Sequence, residues 1–366
     1  MFIQSIEKEA LLKPLQIVVG VVERKQTMPI LSNILIEKEL GIVKFTATDL
    51  EIQISTNIET EDTSNSSVTL AGKKLLDILR ILPDQSSVTI DVKESRAQIK
   101  SGKSRFNLQT LPAQDFPKLN NQIENSSSVT IPQKLLKALF SSIQYAMAQQ
   151  DVRYYLNGVL LGVDGNKLFA VATDGHRLAY NATRIHADFP KQEIIIPRKA
   201  VMELAKLLTD DDGDIEIIFS EQQLKANFSG IQLSTKLIEG KFPDYDRVIP
   251  SYTNHLNINR LVVQQALQRA AILSNEKFRG VRFVLTERNL SVISSNSEQE
   301  EAQIEIETDY HGDALDIGFN VNYLLEGLNS VNSEQVIFSF GSPNSSILIT
   351  SPENQEFRYV VMPMRI

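Results

Sequence analysis

The sequence predicts an α+β protein made of three structurally equivalent domains, each with two helices and two antiparallel sheets. One helical pattern of apolar residues occurs three times, around Lys13, Lys137 and Gln265, at intervals of about 124 and 128 residues. A second helical pattern also occurs three times, at intervals of about 126 and 123 residues, around Asp77, Glu203 and Glu326. Two independent landmarks therefore report one period, which chance clustering of apolar residues would rarely produce.

This period is longer than that of solenoid repeats, so each copy is expected to have a hydrophobic core of its own. Domains of about 120 residues are common, and three of them account for the 366 residues. We predict domains over 1–122, 129–250 and 256–366. The polar run 120–128 has too few apolar residues to be buried and predicts the first linker. The second linker is predicted near 250–255.

Within the first copy, the spacing of apolar residues alternates between the periods of helices and strands. After the first helix, alternating runs predict strands at 34–37, 43–48 and 52–58, and their tight connections make them antiparallel. A second helix, near 73–82, is flanked by further runs of the same kind. Those runs lie at 68–70, 88–92, 97–100 and 106–108. The order of strand, helix and three strands thus occurs twice, which predicts sheets on one side and helices on the other.

The composition bounds the class of protein. Hydrophobic residues make up 42% of the chain and charged residues 22%, as in soluble globular proteins. The chain has no Cys, which excludes a disulfide framework, thiol catalysis and a zinc ribbon. The opening residues lack the basic start and apolar core of a signal peptide, and no apolar run approaches the roughly 20 residues that span a bilayer. We therefore expect a cytoplasmic protein that does not bind membranes.

Charge is distributed unevenly between the helices and the rest of the chain. The formal net charge is −8, yet the six helical windows sum to about +9 and the remainder to about −17. The windows are 7–25, 72–82, 133–149, 197–208, 259–280 and 321–330. Lys and Arg are good helix formers, but Glu is equally good and is scarce here. A basic helical surface without zinc fingers, a recognition helix or aromatic stacking motifs indicates contact with phosphates and not with bases.

Two features leave other functions open. Asp174 and His176 stand in one Asp-Gly-His-Arg turn, and a carboxylate near an imidazole is typical of acid–base sites, so a hydrolase is one alternative. No Ser or Cys nucleophile motif accompanies them. The acidic run 210–214 could attract a divalent cation or form a solvated loop, and the four histidines lack the spacing of metal ligands. We expect no catalytic residue, cofactor or metal. A three-domain scaffold without nucleic acid is a further alternative.

Four longer motifs carry a resemblance to a known family. They are Arg153-Tyr154-Tyr155-Leu156-Asn157-Gly158, Ala172-Thr173-Asp174-Gly175-His176-Arg177-Leu178, Ala271-Ile272-Leu273-Ser274-Asn275-Glu276-Lys277-Phe278-Arg279-Gly280 and Tyr359-Val360-Val361-Met362-Pro363-Met364-Arg365. With these motifs in order from end to end, the chain resembles the bacterial DNA polymerase III β subunit family, the sliding clamps of the replication machinery. The resemblance implies three DNA-clamp domains that form half of a six-domain ring, closed by a head-to-tail homodimer.

The function implied by the resemblance is that of a processivity factor without chemistry of its own. The ring would encircle double-stranded DNA without reading its sequence and would tether the polymerase III catalytic subunit. Translesion polymerases and mismatch-repair proteins would bind the same pocket through short linear motifs. A closed ring needs an ATP-dependent clamp loader, and this chain has no Gly-x-x-x-x-Gly-Lys-Ser/Thr phosphate loop to hydrolyse ATP itself.

The resemblance also implies a hydrophobic pocket for the partner peptides, with the Asp-Gly-His-Arg turn in its wall. The matching positions are Leu156, Thr173, Gly175, His176, Arg177, Leu178, Pro243, Arg247, Val248, Asn320, Tyr323, Ser346, Val360, Val361, Met362, Pro363, Met364 and Arg365. Two positions depart from the family pattern. Asn344 stands where an apolar wall residue is expected, and Ile366 stands where Leu is expected, which puts the detailed peptide preference in question.

Two further sets of positions follow from the same resemblance. Those matching DNA contacts are Arg24, Lys73, Gln150, Tyr154, Tyr155, Arg198, Lys199 and Arg279, although a solvated helix face explains their Lys and Arg residues equally well. Those matching the dimer seam are Lys74, Lys103, Arg105, Phe106 and Leu108 on one side, and Ile272, Leu273, Glu298, Glu300 and Glu301 on the other. Basic residues opposite acidic ones suit a head-to-tail joint.

Overall fold

A computed structural model of the chain describes residues 2–23, 28–120 and 123–366, and these contain six helices. The helices are α1 Lys8–Val18, α2 Gly72–Ile81, α3 Gln133–Ser141, α4 Arg198–Leu207, α5 Arg260–Ala271 and α6 Val321–Ser330. The two helical patterns of the sequence therefore each produce three helices, two in every repeat, as predicted. Among the described residues, no helix has both the length and the apolarity needed to cross a bilayer.

The strands of the described residues all pair in antiparallel fashion. They are β1 Ile3–Glu7, β2 Asn33–Glu39, β3 Ile42–Thr48, β4 Ile52–Glu59, β5 Ser66–Ala71, β6 Ser87–Lys93, β7 Arg96–Ser101, β8 Ser104–Gln109, β9 Ser127–Pro132, β10 Gly158–Thr173, β11 Arg177–Pro197, β12 Asp214–Phe219, β13 Gln223–Phe228, β14 Ile231–Lys236, β15 Asn254–Asn259, β16 Gly280–Thr286, β17 Asn289–Ser295, β18 Glu301–Glu307, β19 Leu315–Asn320, β20 Gln335–Phe340, β21 Ile347–Thr350 and β22 Arg358–Val361. The strands predicted in the first repeat are confirmed.

Residue contacts divide the chain into two compact units. One contains Met1–Lys134 with Met202–Leu237, and the other contains Leu135–Val201 with Ile238–Ile366. The first unit has a four-stranded sheet in the order β1-β6-β7-β8 and an eight-stranded sheet in the order β5-β2-β3-β4-β14-β13-β12-β9. The second has a six-stranded sheet in the order β10-β11-β22-β21-β20-β15 and a four-stranded sheet in the order β18-β17-β16-β19.

The sheets are larger than the two small sheets per domain that the sequence predicts, because neighbouring repeats share them. In the first unit β4 pairs with β14, with Ile54 opposite Leu233, and Thr56 Oγ1 donates to Gly230 O at 3.1 Å. In the second unit β11 pairs with β22, with Leu178 opposite Val360. Pairing satisfies backbone groups that would be left exposed at each sheet edge.

The helices are built as the sequence pattern indicates. The α5 residues at the helical spacing, Val263, Ala266, Leu267 and Ala270, are all buried, whereas Leu261 and Val262 in its first turn are exposed. The side chain of Asn259 accepts hydrogen bonds from the backbone N–H groups of the second and third helical residues, which caps the helix. Asn320 caps α6 in the same way, so the starts of α5 and α6 are each fixed by an Asn that ends the preceding strand.

Candidate functional site

A groove of about 890 Å³ lies in the second unit, beside the C-terminal segment 362–366. Its lining residues are Val248, Arg282, Asp316, Gly318, Pro343, Asn344, Ser346, Val360, Met362, Pro363, Met364, Arg365 and Ile366. Many of them are predicted pocket positions far apart in the sequence. The groove therefore assembles from the end of β22, the approach to β21, and residues of β16 and β19.

The segment 362–366 is held in place by backbone hydrogen bonds although β22 ends at Val361. On one side, Met362 N donates to His176 O at 2.9 Å. On the other side, Met364 N donates to Gly318 O at 2.8 Å. Chain ends normally fray unless such bonds fix them. The two bonds hold the methionines of this segment as walls of the groove, with Met362 half exposed.

Gly318 is required by the close approach of the C-terminal segment. A Cβ at this position would lie 2.4 Å from Met364 O and 2.8 Å from Ile366 Cδ1, closer than any real side-chain contact. Gly280, on the neighbouring strand β16, would place a Cβ 3.0 Å from the same Ile366 methyl carbon. The Ile366 side chain thus packs over a surface made of two glycines, which allows the segment to lie flat on the sheet.

The apolar end of the groove rests on a hydrophobic cluster. Leu156, Leu178 and Val360 belong to one buried cluster that also contains Phe242, and Val360 lines the groove as well. Burial of such side chains excludes water from the base of the groove. An apolar side chain entering here would gain about 25 cal/mol per Å² that it buries. This end of the groove is therefore suited to hydrophobic anchors.

The Asp-Gly-His-Arg turn forms a compact unit next to that cluster. Thr173 Oγ1 donates to Arg177 O at 2.6 Å, and Asp174 Oδ1 accepts from the backbone N–H groups of His176 and Arg177 at 2.9 and 3.1 Å. Gly175 has φ +88°, and a Cβ there would lie 2.9 Å from the Arg153 guanidinium. The carboxylate of Asp174 thus orders the turn.

Arg177 ties this turn to α6. Its guanidinium bonds to Asp174 Oδ2 at 3.0 Å, pairs with Glu326, and lies 4.4 Å from the centre of the Tyr323 ring. Burial alone would lower the pKa of the Arg177 guanidinium. The nearby oxygens of Tyr359 and Glu326 have the larger combined effect and raise this pKa. A buried charge satisfied in this way is costly to disturb. Asp174 therefore forms a structural ion pair with Arg177. This ion pair explains the position of Asp174 without the hydrolase alternative.

The other end of the groove is polar, and sequence reasoning missed its residues. Arg282 Nε donates to Asp316 Oδ1 at 3.1 Å, and its second nitrogen pairs with the other carboxylate oxygen. The hydrogen bond that Arg282 donates to Asp316 is the largest effect that raises the pKa of Arg282. Pro343, Gly318 and Ile366 complete this end. No sequence signal could have indicated this end, because β16, β19 and the chain end meet only in the folded structure.

The structure divides the remaining predicted pocket positions into two groups. Thr173, Arg177 and Val361 are buried and do not line the groove. Six others are exposed or half-buried and do not line the groove itself: Gly175, His176, Pro243, Arg247, Asn320 and Tyr323. Asn344, which departs from the family pattern, is exposed and lines the groove, so it offers an amide where an apolar side chain was expected.

The predicted DNA-contact positions lie on several elements. Tyr154 is 58% exposed and packs edge-on against Tyr155, with the two ring centres 5.8 Å apart. Gln150 is exposed in the same loop. Arg198 is attached to this loop, because its Nη1 donates to Met147 O at 3.1 Å. Hydrogen bonds from Arg153 lower the pKa of the loop residue Asp151 to about 2.

The other predicted DNA-contact positions lie elsewhere in the chain. Lys199 follows Arg198 in α4, Lys73 is half-buried in α2 of the first unit, and Arg279 immediately precedes β16. Arg24 lies outside the described residues.

The predicted seam positions lie on two terminal strands, on the turns before them, on α2 and at the end of α5. In the first unit, β8 is the last strand of its sheet, with Arg105 exposed and Phe106 and Leu108 half-buried. Lys103 is exposed just before β8, and Lys74 is exposed on α2. In the second unit, β18 is likewise a terminal strand and carries Glu301, and the turn before it carries Glu298 and Glu300. Ile272 is 77% exposed at the end of α5, and Leu273 is half-buried.

The acidic run 210–214 forms a turn before β12. Lys134 Nζ bonds to Asp212 Oδ1 at 2.6 Å, and Gly213 N donates to Asp211 Oδ1 at 3.1 Å. The hydrogen bond from Lys134 lowers the pKa of Asp212. Within residues 2–23, 28–120 and 123–366, no three His, Cys, Asp or Glu side chains are grouped so that they could hold a metal ion.

Comparison with known proteins gives a consistent result along the whole chain. Residues 1–120 match the N-terminal domain of the DNA polymerase III beta subunit family, residues 130–244 match the central domain, and residues 246–365 match the C-terminal domain. The beta sliding clamp of Pseudomonas aeruginosa is 45% identical over 367 aligned residues, with 99% of each chain covered. That of Escherichia coli K12 is 40% identical, also with 99% of each chain covered.

Solved structures give the same answer at the level of the fold. The crystal structure of a Pseudomonas aeruginosa sliding clamp, described as DNA polymerase III subunit beta bound to griselimycin, superposes with a TM-score of 0.93. The two chains are 44% identical, and the match covers 99% of each. Three β-clamp domains, each combining helices with antiparallel strands, are therefore the architecture of this protein. The chain belongs to the DNA polymerase III beta subunit family.

Proposed function

We propose that this protein is the DNA sliding clamp of a bacterial replicative polymerase. The observation that supports this most strongly is the full-length match to beta sliding clamps, with all three domains in order. In this function the protein is a non-catalytic subunit of the polymerase III holoenzyme, acts in the cytoplasm, and uses no cofactor. We retain the domain boundaries 1–122, 129–250 and 256–366 as part of the proposal.

Two copies would form a head-to-tail ring in which β8 of one copy pairs with β18 of the other. Both strands end their sheets, and joining them would satisfy their unpaired backbone groups. Arg105 lies on β8 and Glu301 on β18, so the two edges have opposite charge. Ile272 and Leu273 would add apolar contact against Phe106 and Leu108. The joint repeats identically twice, which is the condition for a closed ring.

Duplex DNA would pass through the ring and contact the basic helices without being read. We propose Lys73, Gln150, Tyr154, Arg198 and Arg279 among its contacts, together with Arg24, Tyr155 and Lys199. Phosphate contacts of this kind position DNA without sequence preference. Because topology would hold the DNA, each contact could be weak and the ring could still slide. Tethering would keep a dissociated polymerase at high effective concentration near the primer end.

Partner proteins would bind the groove beside 362–366 through short linear motifs. The buried cluster under Val360 supports hydrophobic anchors, and the half-exposed Met362 can repack around different side chains. We propose as partners the polymerase III catalytic subunit, the ATP-dependent clamp loader, translesion polymerases and mismatch-repair proteins. The griselimycin complex of the Pseudomonas aeruginosa clamp provides a reagent with which competition for this groove can be tested.

Retention on DNA of different topology tests the proposal. After loading, the protein is expected to remain on closed circular DNA through a wash at 1 M salt and to leave when the circle is cut once. A topological link does not depend on counterion release, whereas a phosphate binder loses about 10³ to 10⁵ in affinity between 50 and 200 mM salt. Gel filtration of loaded circles before and after cutting measures the retained fraction.

The control is the same plasmid nicked in one strand, which stays circular and should keep the protein. Equal loss from circular and linear DNA in high salt would contradict encirclement and would favour an ordinary DNA-binding scaffold. Retention on linear DNA blocked at both ends by bound protein would support sliding, because the only escape route from a linear duplex is its end.

A further inference from the structure

We infer that a second cavity in the second unit receives an acidic segment of the partner polypeptide, adjacent to the motif in the groove. This inference rests on the proposed function. The cavity has a volume of about 1150 Å³ and lies on the six-stranded sheet. Ile337 and Leu348 contribute apolar surface, Tyr252 comes from the segment before β15, and Arg358 comes from β22. None of these residues belongs to the predicted pocket, DNA or seam positions.

The second cavity and the groove share one face of the sheet. On β22, Val360 lines the groove and Arg358 lines the second cavity, and residues two apart on a strand point to the same face. At the start of β21, Ser346 lines the groove and Leu348, two residues later, lines the second cavity. One such step is about 6.6 Å along a strand. A polypeptide that leaves the groove therefore needs only a few residues to reach the second cavity.

A ridge separates the two depressions and is firmly held. Tyr252 Oη donates to Ser346 O at 2.7 Å, and its ring lies so close to Gly341 that a Cβ there would be 2.5 Å away. Ile249 and Tyr252 also pack against the hydrophobic cluster beneath the groove. The ridge is therefore part of the folded sheet surface, so a partner would have to cross it and not displace it.

The polar groups of the cavity suit a carboxylate. Arg358 Nη1 donates to Phe357 O at 2.9 Å and to Gln355 O, which fixes the guanidinium and engages one of its three nitrogens. A guanidinium held in this way can bind a carboxylate with two parallel hydrogen bonds. The neighbouring carboxylate of Glu356 is bonded to Lys167 at 2.8 Å, so it has a cation of its own.

The imidazole of His255 adds a second polar group. Its Nδ1 lies 2.8 Å from Ser339 Oγ, so the other ring nitrogen remains for a ligand. The acidic residue of the lining, Asp309, is 94% exposed at the solvent rim and lies 3.2 Å from His311 Nε2. Arg358 and His255 above an apolar floor thus match a segment that combines Asp or Glu with an apolar residue. Binding there would add a charged contact to the hydrophobic anchors of the groove.

The test uses the full-length protein and matched peptides. The core probe is a ten-residue peptide of the polymerase III catalytic subunit whose binding is lost when Met362 to Ile366 are deleted. It is extended at either end by Gly-Gly-Glu-Glu or by Gly-Gly-Gln-Gln, which spans up to about 13 Å. With the extension at the correct end, the Glu peptide is expected to bind about tenfold more tightly than the Gln peptide. Fluorescence anisotropy measures both affinities.

Two variants test whether the tighter binding of the Glu peptide arises in the second cavity. Arg358→Gln should remove the preference for Glu and leave the Gln peptide unchanged. Ser251→Glu adds a carboxylate to the exposed mouth without touching the bonds of Arg358, and it should also remove the preference. Arg288→Gln, which changes an exposed arginine outside the cavity, is the control and should keep it. A preference that persists in both Arg358→Gln and Ser251→Glu would overturn the inference.

The outcomes separate this inference from the proposed function. If the core peptide binds but the Glu and Gln extensions are equivalent at both ends, the second cavity does not bind an acidic segment. The assignment of the groove as the motif-binding site would then still stand. If no polymerase peptide binds the wild-type protein in a way that depends on 362–366, the groove assignment fails and the second cavity fails with it.

Discussion

Replacing Ile272 and Leu273 together by alanine is expected to convert the protein into folded monomers at micromolar concentration. Ile272 is 77% exposed in the single chain, so its truncation removes little from the fold while removing apolar contact from the proposed joint. Truncating a large aliphatic side chain in a buried environment costs about 2–5 kcal/mol. Two such losses would raise the dissociation constant of the dimer at least about a thousandfold. Light scattering measures the mass.

A matched control is available on the same chain. Leu40 is 76% exposed in the turn between β2 and β3, whose sheet does not contain β8, and Leu40→Ala should leave the dimer mass unchanged. Circular dichroism should show that both variants keep their secondary structure. A dimeric mass for the Ile272 and Leu273 double variant at micromolar concentration would contradict the seam assignment.

Deleting Met362 to Ile366 is expected to weaken polymerase and clamp-loader peptides by at least about tenfold without changing the dimer mass. The deletion removes five of the residues that line the groove and the hydrogen bond from Met364 N to Gly318 O. Anchor residues of interfaces typically contribute about 2 kcal/mol or more, and 1.4 kcal/mol is one decade in affinity. Peptide titration and light scattering on the same samples measure both quantities.

Single substitutions refine this experiment, because the chain contains two methionines of equal exposure. Met362 is 50% exposed in the groove, and Met202 is 49% exposed on α4. Met362→Ala should reduce peptide affinity, whereas Met202→Ala should not. Unchanged affinity of the truncated protein for every polymerase peptide would mean that the partner site lies elsewhere.

The fold was predictable from the sequence where the information is local. The helical spacing around Lys13 or Gln265 and the alternation within β7 depend on neighbouring residues, so helices and strands could be placed. The joining of β4 to β14 could not, because it pairs Ile54 with Leu233 and no periodicity reports which sheet edges meet. Long-range pairing is decided by the fit of whole edges.

The candidate site follows the same division. Val360 and Met362 could be assigned from the terminal motif, and the structure brings them into the groove. Arg282 and Asp316 could not, because their ion pair forms across two strands 34 residues apart and neither residue belongs to a predicted motif. The role of Gly318 is also invisible in sequence, since it depends on a backbone oxygen from the far end of the chain. Contacts between residues that are far apart in the sequence and belong to no common motif cannot be predicted from the sequence alone.

The sharing of sheets between repeats affects how the chain would unfold. Three sequence repeats suggest three independent melting events, yet the pairing of β4 with β14 and of β11 with β22 joins adjacent repeats by continuous ladders. Elements linked by a ladder tend to open as one cooperative block. The middle repeat contributes strands to both compact units, so we expect two melting transitions and not three. Excising one copy would cut a ladder and leave a bare strand that promotes self-association.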